Sequence, residues 1–232
     1  KKNRLTPKLI EAILSGLPQF EGSVPENRRR EYGQYYRELA ITRKPPLGPT
    51  PIAARYDSLP LGRQEVVLLG SAGQRIITAG ELLCLAGLFA GLQTTQKNEY
   101  NITVLRGLSI SELILSPEEI DYTGIERPSV IVALAQEGVD GRRSMFAQLD
   151  RDALILQVQG VEIPACGARL HRLDFKSQGI KKPDWALASL AVLAGLGQVI
   201  RPEMLEAALK IRFKGQTLEA ALALVELAQG GI

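Results

Sequence analysis

A strand, a glycine turn and a helix in immediate succession leave few folds open to a chain, and residues 66–80 (Val-Val-Leu-Leu-Gly-Ser-Ala-Gly-Gln-Arg-Ile-Ile-Thr-Ala-Gly) have that pattern. Val66–Leu69 is a short apolar run of the buried-strand type. It ends at Gly70, and Gly73 follows three residues later. Apolar residues then recur at helical spacing at Ile76, Ile77, Leu82, Leu83 and Leu85. A doubly wound α/β domain opens in this way, with the amides at the helix N-terminus available to an anion. The spacing is G-x-x-G and not G-x-G-x-x-G, so the loop is nucleotide-like without the dinucleotide fingerprint. The amides around Gly70 and Gly73 and the Ser71 hydroxyl suit a phosphate, whereas a tight strand-to-helix turn explains the glycines equally well.

Beyond the loop the apolar pattern continues to alternate. It predicts a helix over about 73–90, then strands near 92–96, 101–106 and 109–115, the last antiparallel to its neighbour. Val130–Leu134 has the continuous apolar character of a buried parallel strand. Gly141–Leu149 reads as helical and Ala153–Val158 as a strand after a turn at Asp150–Asp152. The last 50 residues are rich in Ala and Leu and predict helices over Trp185–Gly195, Pro202–Ile211 and Thr217–Gln229. Pro202 suits a first helical position, and Gly215 marks a boundary between helices. The expected fold is a three-layer α/β/α Rossmann-like domain over 63–232 with a mostly parallel sheet.

Residues 1–62 look different. A short amphipathic helix begins at Thr6-Pro7 and carries Leu9, Ile10, Ile13 and Leu14. A second carries Tyr32, Tyr35, Tyr36 and Leu39, and Lys44–Pro51 is proline-rich and extended. Four of the six tyrosines lie here with too little aliphatic surface for a core, so the segment is expected to be an extended and helical arm or linker that packs on something else. It carries 11 Lys/Arg against 6 Asp/Glu, a net of +5, which leaves −2 for residues 63–232. A basic front suits an acidic partner surface or phosphates, and equally a solvated arm.

Composition narrows the chemistry. The overall charge of +3 is too small to argue for nucleic acid. No uncharged apolar run reaches the roughly 20 residues of a membrane span, and the basic start has no apolar segment after it to form a secretory signal. Cys84 and Cys166 are far apart, with no C-x-x-C, and His171 is the one histidine, so metal-ligand spacing is absent. A reducing cytoplasm with two free thiols is expected, with Cys84 buried on the apolar face of the first helix. There is no Ser/His/Asp set, H-E-x-x-H or Walker lysine.

Two further polar clusters invite a ligand. Gln96-Lys-Asn-Glu-Tyr-Asn101 lies between apolar runs, at what would be the carboxyl end of a strand. With Arg106 beside Gly107, Lys97 and Asn98 could hold an anion or pair with a partner subunit; a plain polar loop explains them as well. A dinucleotide site would want an acidic residue ending the second strand, but Glu99 is placed past that end, which disfavours an NAD(P) enzyme. Gln136-Glu137-Gly138 reads as a loop capping the strand before it, at the edge of the same crevice.

Gly70–Gly80 is similar to the G-x-G-G-Q-G-[IV]-x-x-[AS]-x segment that opens the gamma subunit or gamma domain of 2-oxoacid:ferredoxin (acceptor) oxidoreductases. Thr95–Val104, Gly107–Pro117, Val130–Gln136, Leu190–Gly197 and Pro202–Leu209 resemble that family's later blocks in the same order. Ala72 and Arg75 stand where the family prefers glycine. Residues 4–40, notably Leu5–Leu9 and Arg29–Leu39, look like the tail of the thiamine-diphosphate-binding beta subunit. A beta tail followed by a gamma domain implies the C-terminal part of a fused polypeptide, in agreement with a start that is not Met.

The resemblance implies a part in oxidative decarboxylation of a 2-oxoacid, such as pyruvate or ketoisovalerate, with coenzyme A, giving acyl-CoA, CO2 and reduced ferredoxin. Thiamine diphosphate and iron–sulfur clusters are then expected in other subunits, and this chain would bind no cofactor alone. Its implied partners are the thiamine-diphosphate-binding and 2-oxoacid-binding subunits and ferredoxin, in a homo- or hetero-oligomer. The loop Gly70, Ser71, Ala72, Gly73, Gln74 is the expected coenzyme A contact, with Lys97, Asn98 and Arg106 as further contacts. A stand-alone nucleotide-binding regulator is the alternative.

Overall fold

The computed structural model describes residues 52–59, 62–100 and 107–230, together with Ser15. The chain divides between residues 51 and 52, and the second unit, Ile52–Ile232, contains the whole sheet. The expected N-terminal helices, the proline-rich stretch, the strand over 101–106 and Arg106 lie outside the described residues.

Six strands form one sheet. In chain order the elements are β1 (Gln64–Ser71), α1 (Ile76–Phe89), β2 (Gln93–Tyr100), β3 (Leu108–Ser116), β4 (Val130–Ala133), α2 (Gln136–Gly141), a 3-10 segment (Arg143–Gln148), β5 (Leu154–Val158) and β6 (Arg169–Leu173), closed by α3 (Trp185–Gly195), α4 (Pro202–Arg212) and α5 (Gly215–Gln229). The strand order is β2-β3-β1-β4-β5-β6. Pairings β1–β4, β4–β5 and β5–β6 are parallel, whereas β3 runs antiparallel to both β1 and β2. β3 is therefore the one reversed strand, as the 109–115 pattern predicts, and the α/β expectation is met.

Alternation along the strands sorts the core into two faces. Val66 and Leu68 of β1 join Leu113, Leu115, Val130, Val132, Leu154 and Leu156 under α1, α3 and α4. Val67 and Leu69 join Ile110, Ile131, Ala133, Ile155, Val139 and Phe146 on the other face, beneath α2 and the 3-10 segment. Each fully buried Val, Leu, Ile or Phe among them contributes about 1.5–3 kcal/mol relative to exposure.

Close helix-to-sheet approach needs glycine in the middle of α1. A Cβ on Gly80 of α1 would lie 2.4 Å from both Gln96 Nε2 and Ser111 Oγ, so its absence lets α1 settle on β2 and β3. The segment before β1 is tied to the other end of α1: the amides of Arg55 and Tyr56 both donate to Phe89 O, at 2.7 and 3.1 Å. The buried Glu65 carboxylate holds the 117–129 connection, accepting from the amides of Glu126 and Arg127 at 2.8 and 2.7 Å.

Several expectations need correction. Gln96–Tyr100 is not a loop: it is the outer half of β2, and Glu99 lies inside that strand. Backbone pairing with β3 overrides the polar composition there, because an edge strand buries little side chain. Gln136-Glu137-Gly138 opens α2 instead of forming a capping loop, and the helix expected over 141–149 is a 3-10 segment over Arg143–Gln148. Gly215 does stand at the helix boundary, as the first residue of α5, with φ 52°. β6, containing His171, had no sequence signal, since Arg-Leu-His-Arg-Leu alternates weakly and is mostly exposed.

Candidate functional site

The loop between β1 and α1 lies at the carboxyl end of the first strand, between Gly107 and α2. Gly73 adopts φ 88°, which a side chain would resist, so the second glycine is required by the turn itself. Gly70 is required by packing: a Cβ there would meet Ile76 Cδ1 at 2.3 Å and Gln74 Oε1 at 2.9 Å.

Gln74 organises the loop. Its side chain is almost wholly buried and folds back across the turn. Oε1 accepts from the Ser71 amide at 2.7 Å and from the Ser71 hydroxyl at 3.2 Å, while Nε2 donates to Leu134 O at the end of β4, at 3.2 Å. The Ala72 amide donates to Gly107 O at 2.9 Å and the Gln74 amide to Ser71 O at 3.2 Å. Three loop amides and the serine hydroxyl thus have partners inside the protein. Gln74 itself supplies the oxygen that a phosphate would present to Ser71. The solvent rim of the loop consists of Gly73 and Arg75, with Ala72 half-buried.

Arg75, where the resembling segment has glycine, has φ 55° and ψ 33°. A left-handed conformation strains any residue with a Cβ, by about 1–2 kcal/mol, which gives a physical reason for glycine at this position. The Arg75 side chain reaches outward to Asp184 Oδ1 at 2.9 Å.

α2 completes the crevice. Gly138 lies against the end of β1 so closely that a Cβ would be 2.5 Å from Gly70 N and 2.6 Å from Leu69 C. The local sequence signal for this contact is a glycine in the first turn of a helix, which resembles a loop residue until its neighbour is known.

The second cluster is split by the pleat of the sheet. Gln96 and Asn98 face α1: Gln96 Nε2 lies 3.0 Å from each of three acceptors, Ile77 O, Ser111 Oγ and Asn98 Oδ1, which share its two N–H groups. Lys97 and Glu99 point to the opposite face. There Glu112, nearly buried, receives Arg142 Nε at 2.8 Å and faces Lys97 Nζ at 3.5 Å, and Arg142 also reaches Glu99 Oε2 at 2.5 Å. Burial on its own would lower the Arg142 pKa, but its hydrogen bonds to Glu99 and Glu112 and their charges outweigh that and hold it above the ordinary arginine value. Lys97 and Asn98 therefore do not converge on one point, and neither touches the 70–74 loop in the contacts described. Sequence reasoning missed Arg142, which lies 30 residues from Glu112 in an unpromising Gly-Arg-Arg stretch.

Cys84 is half-buried on α1, its thiol 3.7 Å from Thr95 O, and burial pushes its pKa up to about 11. Among the described residues there is no group of three or more His, Cys, Asp or Glu placed to hold a metal ion, and no helix long and apolar enough to cross a membrane.

Residues 65–230 match the family described as pyruvate ferredoxin/flavodoxin oxidoreductase. The 2-oxoglutarate synthase subunit KorC of Methanocaldococcus jannaschii is 28% identical over 157 residues, covering 63% of this chain and 82% of that protein. KorC of Methanothermobacter marburgensis is 35% identical over 78 residues, 33% of this chain and 42% of that one. Among solved structures, the keto/oxoacid ferredoxin oxidoreductase gamma subunit from Geobacter sulfurreducens PCA has a TM-score of 0.61 at 21% identity, covering 73% of this chain and 96% of that chain. The 2-oxoglutarate:ferredoxin oxidoreductase from Magnetococcus marinus, solved with 2-oxoglutarate, coenzyme A and succinyl-CoA, has a TM-score of 0.62 at 15% identity; the match covers 73% of this chain and 31% of that one. At these identities the two structures establish the fold.

Proposed function

The chain belongs to the pyruvate ferredoxin/flavodoxin oxidoreductase family, and from that premise we propose that it is the gamma-type domain of a 2-oxoacid:ferredoxin (acceptor) oxidoreductase. The complex would decarboxylate a 2-oxoacid oxidatively and pass the acyl group to coenzyme A, with the electrons going to ferredoxin. Since the curated relatives carry the name 2-oxoglutarate synthase, 2-oxoglutarate is the first substrate to test. The observation that carries the reading is the extent of the family match, which runs from β1 into the last turn of α5.

In this reading the chain performs no bond chemistry of its own. Thiamine diphosphate and the iron–sulfur clusters, supplied by partner subunits or domains, provide the carbanion and one-electron chemistry when bound. The proposed task of this chain is to present the 70–74 loop, with Gly73 and Arg75 at its rim, along the approach of coenzyme A, in a soluble cytoplasmic complex. Residues 1–62 would contact the thiamine-diphosphate subunit. The alternative, a free nucleotide-binding regulator, draws little support from a loop whose amides are already engaged by Gln74, Gly107 and Ser71.

Co-expression with the 2-oxoacid-binding and thiamine-diphosphate-binding subunits tests the proposal. It expects a stable complex and reduction of ferredoxin that requires both 2-oxoacid and coenzyme A, with no such activity from the chain alone. A chain that stays apart from those subunits, or a complex equally active without it, would overturn the proposal.

A further inference from the structure

The β2 margin of the sheet has the features of a self-complementary edge. β2 is eight residues long, contains neither proline nor glycine, and among the described residues nothing pairs with its outer side. Such an edge presents a row of free N–H and C=O groups for another strand. Charged residues usually guard an edge against pairing, but here Lys97 and Glu99 have opposite sign, lie two positions apart on one face and remain exposed, at 66% and 50% of their side chains.

The ladder geometry decides what that spacing can do. Two copies of one strand that pair antiparallel about a two-fold axis must place residues of the same parity opposite each other, because only alternate residues turn their backbone groups to the outer side. The axis therefore passes through a residue. Centred on Lys97 or on Glu99, the pairing sets like charges face to face. Centred on Gln96, it leaves Lys97 opposite Thr95 and Glu99 opposite Gln93, with no charge matched. Centred on Asn98, it sets Lys97 opposite Glu99 of the second copy, and does so twice.

We propose that two copies of this chain join through their β2 edges about a two-fold axis at Asn98, continuing the six-stranded sheet into the second copy. The junction would lengthen an existing alternation of charge. On one side Glu112 meets Lys97, which meets Glu99 of the copy and then its Arg142; the second side repeats the series by symmetry. On the opposite face Tyr100, the one aromatic residue of β2 and 60% exposed, lies over Gln96 of the copy and loses water-accessible area. This pairing stands or falls independently of the reading of the chain as an oxidoreductase domain.

Cysteine cross-linking of the full chain tests the register. In a Cys84→Ala, Cys166→Ala background, Asn98→Cys is expected to form a disulfide-linked dimer on mild oxidation, because residue 98 faces its own copy. Gln96→Cys is expected to remain monomeric on a non-reducing gel. Sedimentation of the unmodified chain is expected to show a concentration-dependent dimer, and Lys97→Glu to weaken it by about tenfold, with circular dichroism checking the fold of the variant. A monomer at every concentration, or cross-linking through residue 96 and not 98, would overturn the proposal.

Discussion

The carboxamide oxygen of Gln74 lies 2.7 Å from the Ser71 amide and 3.2 Å from its hydroxyl, so the turn that opens the domain carries its own internal acceptor. The same side chain reaches Leu134, sixty residues away, and ties the ends of β1 and β4 together. Removing it leaves the Ser71 amide buried without a partner, which costs about 1–3 kcal/mol. Gln74→Ala is expected to lower the melting temperature by about 2–4 °C per kcal/mol lost. Calorimetric titration of the same variant with coenzyme A checks whether the freed amide becomes an anion contact; in the proposed reading its affinity changes, whereas an Arg169→Ala control does not.

The approach of α2 to β1 has no room for a methyl group. At Gly138 the obstructing atoms belong to the backbone of Leu69 and Gly70 and cannot rotate away. Gly138→Ala is expected to destabilise the domain by about 1–3 kcal/mol through overpacking. Gly141→Ala provides the comparison, since its nearest neighbours are side-chain atoms of Leu108 and Ile110 at 3.2 and 3.4 Å. Chemical denaturation of both variants should rank Gly138→Ala as clearly the less stable.

Arg75 combines a left-handed backbone with an exposed ion pair, and the two effects oppose each other. Glycine at this position would relieve about 1–2 kcal/mol of strain. It would give up an ion pair to Asp184 that is worth about 0–1 kcal/mol at this exposure. Arg75→Gly is therefore expected to match or exceed the parent in thermal stability. Arg75→Val, which is β-branched, should fall below it; if valine proves as stable as glycine, the strain argument fails.

Glu112 is nearly buried and depends on Arg142 for both charge balance and hydrogen bonding. Arg142→Ala is expected to destabilise by about 2–4 kcal/mol, because it leaves a carboxylate with only the more distant Lys97. Glu112→Gln in the same chain should recover part of that loss. A double-mutant cycle measured by urea unfolding isolates the coupling.

Burial places the Cys84 thiol near 11, above the ordinary value of 9.0. Because the folded value is the higher one, the stability it contributes is fully present below about pH 9 and is lost as pH rises toward 11. Iodoacetamide labelling followed by mass spectrometry should find Cys84 slow to react at pH 8. The fall in stability between pH 9 and 11 should be shallower in Cys84→Ala.

Much of the fold was legible in the sequence for a simple reason. A strand covered on both faces is apolar throughout, and a helix packed on a sheet repeats its apolar residues every three or four positions, so β1, β4, β5, α1, α3 and α4 were marked by their own residues. β2 was marked only in its inner half, near 92–96, and β6 not at all, because edge strands bury little and are held by backbone pairing instead. The 70–74 loop was found from its glycines, but its content was not. Gln74 resembles any polar loop residue until Leu134 and Ser71 surround it, and Lys97 and Asn98, adjacent in sequence, are sent to opposite faces by the pleat.

By itself the sequence determined the order of the apolar strands and of the long helices packed on them, the position of the opening turn and the family to which the chain is similar. These depend on apolar spacing and on residue blocks that are local along the chain. Only the tertiary structure decided which polar groups meet: Gln74 with Ser71 and Leu134, Gly138 against Gly70, and Arg142 between Glu99 and Glu112. The second set joins residues from different elements, several of them tens of positions apart. No local pattern encodes such meetings, because they follow from how the sheet pairs and how closely its helices pack.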